Sequence, residues 1–242
     1  MKTVIINQAR MGSTRLPGKI MKQVLGKPLL AYQVERLKRV KAAQGIVVAT
    51  TEESPDDVIV ELCDKLTIST FRGSEEDVLS RYYGAAQQEN AEVVVRVTSD
   101  CPLIDPAVID RVVDEYLNHS SECDYVANTI ERTYPRGMDC EIFSFSALEQ
   151  AHRGATRKAD REHVTSFIYG RPGEFRVRGV TYSSDQSAHR WTVDTPEDFE
   201  LVRRIIEALY PHKPQFTLED CLDLLRQHPD WSELNRNVVQ KT

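Results

Sequence analysis

Gln8-Ala9-Arg10-Met11-Gly12-Ser13-Thr14-Arg15-Leu16-Pro17-Gly18-Lys19 follows directly on the apolar run Val4-Ile5-Ile6. The run has the length and β-branched composition of a buried strand, and the stretch after it has the chemistry of an anion loop. Arg10, Arg15 and Lys19 place three cations within ten residues, with two glycines and two hydroxyls among them. Gly12 and Gly18 let backbone N–H groups approach an anion closely, and the cations offset its charge. A buried strand that opens into such a cradle is the first unit of an α/β nucleotide-binding sheet.

Two familiar phosphate loops fail on spacing. A Walker A loop needs four residues between its glycines and a hydroxyl after the lysine. Here Gly12 and Gly18 enclose five residues, and Ile20 follows Lys19. The Gly-x-Gly-x-x-Gly dinucleotide fingerprint is also absent. The remaining alternative to a triphosphate cradle is a basic surface loop between strand and helix.

Outward from this loop, apolar runs alternate with helical patterns. Strands are predicted at 3–6, 46–49, 68–71, 93–97 and 124–128. Helices are predicted from Pro28 to about Val40, from Ser54-Pro55 to Lys65, from the Ser74–Asp77 cap to about Glu89, and from Asp105-Pro106 to about His119. This β-α-β-α rhythm implies an α/β fold: a mainly parallel central sheet, doubly wound, with flanking helices. Ligands of such sheets lie at the carboxyl ends of the strands. From about Thr129 the rhythm breaks. Tyr134-Pro135-Arg136-Gly137 reads as a turn before the alternating Met138, Cys140 and Ile142. A helix at 160–170, a strand at 175–182, a short strand at 190–193 and helices at 195–210 and 217–227 complete the prediction. The expectation is one domain over 1–242, with 129–190 inserted as a lid or dimer arm and a homodimer formed through it.

The net charge of −6 argues against a general nucleic-acid or membrane-surface binder, so the basic loop is a local site. No stretch has transmembrane length and the N-terminus lacks a signal pattern, so a cytoplasmic protein is expected. Five scattered cysteines without a Cys-x-x-Cys point to reduced thiols and not to structural zinc.

Two carboxylates are candidate partners of the loop. Asp100 follows the apolar strand ending at Val97, and Asp194 follows Trp191-Thr192-Val193. Mg2+ takes one or two carboxylates together with phosphate oxygens and waters, which suits both. Each has a competing role as a helix or turn cap. With Arg10 and Lys19 they form the parts of a metal-assisted nucleotidyl-transfer site.

The loop 8–19, Asp100 with Pro102, and Val193-Asp194-Thr195-Pro196-Glu197-Asp198 resemble the cytidylyltransferases that make CMP-activated acid sugars, the CMP-N-acylneuraminate and CMP-KDO synthetases. Arg72-Gly73-Ser74-Glu75-Glu76-Asp77, Tyr134–Glu141 and Arg161-Glu162-His163-Val164-Thr165 extend the likeness, which is strongest to the spore coat polysaccharide biosynthesis protein F group. The resemblance implies a Rossmann-like nucleotide-diphospho-sugar transferase fold, with CTP and a sugar as substrates and Mg2+ as cofactor. It implies nucleotide contacts from Ala9, Arg10, Gly12, Ser13, Lys19, Arg72, Ser74 and Asp77. It places metal on Asp100 and Asp194, and catalysis on these two with Arg10 and Lys19. In the acceptor half the polar candidates for the sugar are Arg136, Asp139, Glu141, Arg161, His163 and Arg190, and no residue stands out as a general base. A glycosyltransferase using a nucleotide sugar is the alternative. Such enzymes usually present Asp-x-Asp after a strand, whereas here Asp100-Cys101-Pro102-Leu103 has no second carboxylate before Asp105.

Overall fold

In the computed structural model, which describes residues 1–240, Val4, Ile5 and Ile6 are fully buried on strand β1 (Thr3–Gln8). Successive side chains of a strand point to opposite faces, so such a run needs cover on both. Val4 and Ile6 face one cluster and Ile5 the other. After β1 come a small hairpin, β2 (Gln23–Val24) and β3 (Lys27–Pro28), and helix α1 (Leu29–Leu37). The alternation continues with β4 (Gly45–Thr51), α2 (Asp57–Lys65), β5 (Ser69–Gly73), α3 (Val78–Gln88), β6 (Val93–Thr98), α4 (Pro106–Asn118) and β7 (Tyr125–Ala127). The second half adds β8 (Glu141–Ser144), α5 (Phe145–Gly154), α6 (Lys158–Glu162), α7 (Ser166–Tyr169), β9 (Val177–Gly179), α8 (Pro196–Leu209), α9 (Leu218–Gln227) and α10 (Pro229–Ser232).

The seven-stranded sheet has the order β5-β4-β1-β6-β8-β7-β9. Only β8 runs antiparallel to its neighbours, so the expected mainly parallel α/β sheet is present. One face is covered by α4, α8 and α9 with α1, the other by α3, α5 and α7. The chain winds from β1 out to β5 and then returns to place β6 on the other side of β1. That reversal opens a crevice at the carboxyl ends of β1 and β6, where ligands of open α/β sheets bind.

The second half departs from the predicted elements. The predicted 160–170 helix is two short helices, α6 and α7, broken where Val164 takes a left-handed φ of 58°. A buried β-branched residue in that region interrupts the helical ladder. The 175–182 strand shrinks to β9. The predicted 190–193 strand is a single bridge between Arg136 and Arg190, because its remaining hydrogen bonds go to a turn and to Asp100. Helix α5, which the sequence pattern did not predict, begins where the Ser144 hydroxyl accepts from the Ala147 N–H. Residues 129–190 thus contribute β8 and β9 to the central sheet itself.

Candidate active site

The loop after β1 is fixed at both ends. The Ala9 N–H donates to Ala49 O at 3.0 Å, and the Met11 N–H to the buried Asp56 carboxylate at 2.7 Å. Asp56 also accepts from both Thr50 and Thr51, so it is a post that holds the loop against β4. Gly18 turns the chain with a φ of 64°, a conformation suited to glycine, and sends Lys19 back toward the sheet. The backbone N–H groups of Gly12, Thr14 and Arg15 have no acceptor among the described residues, the state an anion cradle needs.

Lys19 is where the site converges. Its Nζ lies 2.8 Å from Asp100 Oδ2 and 2.7 Å from Asp194 Oδ1. These three residues come from 175 positions of chain and meet because their elements do. The Val193 N–H donates to Asp100 O at 2.8 Å, stitching the two acidic segments together. The competing cap roles fall to other residues. Asp105 caps α4, while Thr195 and Asp198 form the capping box of α8. Asp100 and Asp194 are thereby left to face Lys19.

Burial by itself would lower the Lys19 pKa, but the two carboxylates more than offset it and raise it above the ordinary lysine value. Burial would raise Asp100, and Lys19 together with the Thr98 hydroxyl at 2.6 Å brings it below the ordinary carboxylate value. Lys19 and Asp100 are therefore both charged at neutral pH. The donor set fits Mg2+: two carboxylates aimed at one point now held by an ammonium, open to phosphate oxygens from the neighbouring loop. Among the described residues no group of three or more metal-ligating side chains occurs, so a metal here would draw its remaining ligands from substrate and water.

The nucleotide-side candidates surround this cluster unevenly. Arg10 pairs with Glu75 at 3.2 Å on the surface. Arg15 pairs with Asp194 at 3.1 Å. Ser13 continues the turn through its N–H to Met11 O. The Ser74 hydroxyl accepts from the Asp77 N–H, and Asp77 in turn caps α3 by accepting from Ser80. Arg72 is committed elsewhere, to Thr51 O, Glu53 O and the Asp57 carboxylate.

Most acceptor-side candidates carry internal partners. Asp139 is held by both guanidinium nitrogens of Arg132, at 2.7 and 3.0 Å. Glu141 pairs with Arg96 and accepts from Tyr125 and Thr165 at 3.0 and 2.5 Å. Arg161 reaches Asp77, joining a residue expected at the sugar to one expected at the nucleotide. Arg190 bridges Asp194 at 2.7 Å and Asp198 at 2.9 Å. His163 is exposed. Arg136 is half-buried, and its guanidinium has no partner among the described residues. Burial, with Arg132 and Arg190 nearby, pushes its pKa below the ordinary arginine value despite Asp139. It reaches Arg190 because Gly137, at φ 102°, lies against the Trp191 backbone, where a Cβ would come within 2.7 Å.

Four working residues are absent from the sequence-derived site: Asp56, Glu75, Arg96 and Asp198. A signal existed for Arg96, a charge inside an apolar strand, which needs a buried partner. None existed for Asp56, which reads as an ordinary helix start.

With this geometry in place, the comparisons with known proteins agree. A cytidylyltransferase family model matches residues 3–227. The spore coat polysaccharide biosynthesis protein SpsF of Bacillus subtilis is 31% identical, covering 94% of this chain and 95% of that protein. A cytidylyltransferase structure from Leptospira borgpetersenii matches with a TM-score of 0.92 at 36% identity, over 100% of both chains. The structure of CMP:2-keto-3-deoxy-manno-octonic acid synthetase complexed with CTP matches with a TM-score of 0.67 at 16% identity. It covers 86% of this chain and 99% of that one, a likeness of fold. No helix among the described residues is long and apolar enough to cross a membrane. The chain, matched from residue 3 to 227 and holding Lys19 between Asp100 and Asp194, belongs to the cytidylyltransferase family, and the protein is a nucleotidyltransferase enzyme.

Proposed function

We propose that this enzyme transfers CMP from CTP to a hydroxyl of an acid sugar, sialic-acid-like or KDO-like, and releases pyrophosphate. Cell-surface or spore-coat polysaccharide biosynthesis is the setting this product suits. The observation that carries the reading is Lys19 held between Asp100 and Asp194 at the mouth of the anion loop. The sugar oxygen forms a bond to the α-phosphorus, the bridge to the β-phosphate breaks with its electron pair going to the departing pyrophosphate, and the hydroxyl proton passes to solvent water. Negative charge grows on the non-bridging and leaving oxygens as this happens. Lys19, Arg10 and Arg15 are the fixed cations that face it, and the free N–H groups of the loop add preorganised dipoles.

Ala9, Gly12 and Ser13 shape the loop for the triphosphate. Ser74 and Asp77, and Arg72 through the β4 end, frame the nucleoside side. Asp100 and Asp194 would hold Mg2+, which when bound would shield the triphosphate and polarise its oxygens. The Arg10–Glu75 pair is exposed and worth about 0–1 kcal/mol, so Arg10 exchanges Glu75 for phosphate at small cost. On the acceptor side Arg136 carries the unsatisfied charge, and a sugar carboxylate is its natural bidentate partner. Asp139, Glu141, Arg161, His163 and Arg190 frame the rest of that pocket.

Pyrophosphate release from CTP, measured across a panel of acidic and neutral sugars with and without Mg2+, tests the reading. Release only with a carboxylated sugar and Mg2+ is expected. Equal rates with neutral sugars would remove the acid-sugar assignment, and no release with any nucleotide would remove the whole.

A further inference from the structure

Behind Asp194 lies a buried network that reaches the C-terminal segment. Asp198, fully buried, accepts from the N–H groups of Asp194 and Thr195 and from the Arg190 guanidinium. Arg190 in turn donates to Asp194 Oδ2 at 2.7 Å. The Asn235 amide, only 4% exposed, closes the far end: its Nδ2 lies 2.8 Å from Asp198 Oδ1 and 2.8 Å from Arg190 O. The chain then runs on past the site, with Val239 O accepting from Arg15 at 3.3 Å.

We propose that Asn235 is a positioning residue for the metal-binding carboxylate Asp194. The inference rests on the assignment of Asp194 to Mg2+ made above. Asp194 sits after an irregular segment and is surrounded by Lys19, Arg15 and Arg190. Three cations pull it in different directions, and its orientation depends on where Arg190 is fixed. Arg190 is fixed by Asp198 on one side and by the Gln240 side chain on the other. Asp198 accepts bonds from four residues, and Asn235 is the one contributed by the C-terminal segment. Groups that orient a metal ligand typically change metal affinity or activity about 10–100-fold when removed.

The test is calorimetric binding of CTP, once with Mg2+ and once in EDTA, to the wild type, Asn235→Ala and Asp194→Asn. Asn235→Ala is expected to lose about tenfold or more of the preference for CTP with Mg2+ while its affinity in EDTA stays unchanged. A merely structural role would weaken both affinities together, and that result, or an unchanged preference, overturns the proposal. Should Asn235→Ala not fold, Asn235→Leu, which removes the amide donor while filling its volume, carries the test: a weakened preference supports the role and a wild-type preference overturns it. Asp194→Asn separates the two readings. If it keeps the wild-type preference, the metal assignment fails and the positioning role with it. If it loses the preference while Asn235→Ala does not, only the positioning role fails.

Discussion

Arg10 and Arg96 each pair with a glutamate, one in the loop after β1 and the other inside β6. Arg10 and Glu75 are about half exposed, at 48% and 43% of their side-chain surface. Arg96 and Glu141 are nearly enclosed, at 15% and 12%, and Tyr125 and Thr165 complete the carboxylate's hydrogen bonds. The difference extends to the two halves of the molecule. In the loop after β1, Arg10 is loosely paired and remains available to a ligand, while Lys19 is held by Asp100 and Asp194. On the acceptor side, Arg96, Arg132, Arg161 and Arg190 are bound to carboxylates of the protein, and two of these pairs, Arg96–Glu141 and Arg161–Asp77, tie the second half to the first. The same residue types thus bind in one half and build in the other, and burial decides which.

Removing Glu141 tests this contrast most severely. Glu141→Ala leaves the Arg96 guanidinium buried without its carboxylate, and a broken buried pair costs about 3–5 kcal/mol. Calorimetric unfolding should show that loss. A loss under about 1 kcal/mol would mean that the acceptor-side pairs are not structural. Next in size is Lys19→Met, which should lower turnover about 10²–10³-fold, the cost of deleting one preorganised donor to developing charge, while circular dichroism stays native. Near-normal pyrophosphate release would move catalysis away from the carboxylate-held lysine. Arg10→Met should change stability by no more than about 1 kcal/mol, as expected of an exposed pair. Its signature should instead be a raised KM for CTP. If stability drops sharply while KM stays constant, Arg10 belongs with the building arginines.

The smallest effect is on pH dependence. Burial would raise the Asp77 pKa, but Arg161 and the Ser80 N–H bring it below the ordinary value. A carboxylate depressed in the folded state adds stability above its unfolded pKa of about 3.9, and that stability is lost as pH falls through the folded value. Melting temperatures measured downward from pH 7 should therefore fall less steeply at the acid end in Arg161→Met than in the wild type. Equal slopes would show that Arg161 does not set the Asp77 charge.

The nucleotide half was the more legible because its instructions are local. The apolar run of strand β1 and the Asp77 cap of α3 each depend on neighbours within a few residues. The acceptor half was read less well because its contacts are distant. The helix break at Val164 accompanies a Thr165 hydroxyl committed to Glu141, 24 positions away. The predicted strand at 190–193 spends its backbone bonds on Arg136 and Asp100 instead of on a neighbouring strand. Neither commitment leaves a trace in the local pattern of polar and apolar residues.

The sequence by itself determined the mainly parallel α/β sheet, the glycine-bearing loop after β1 and the place of Asp100 just past a strand, because hydrophobic period, glycine and caps act over a few residues. The tertiary structure alone decided which charges meet. Lys19 lies 81 residues from Asp100 and 175 from Asp194, and only the sheet order that sets β6 beside β1, with the Val193–Asp100 hydrogen bond, brings the three together. A salt bridge is a statement about distance in space, and local sequence patterns constrain that distance only weakly.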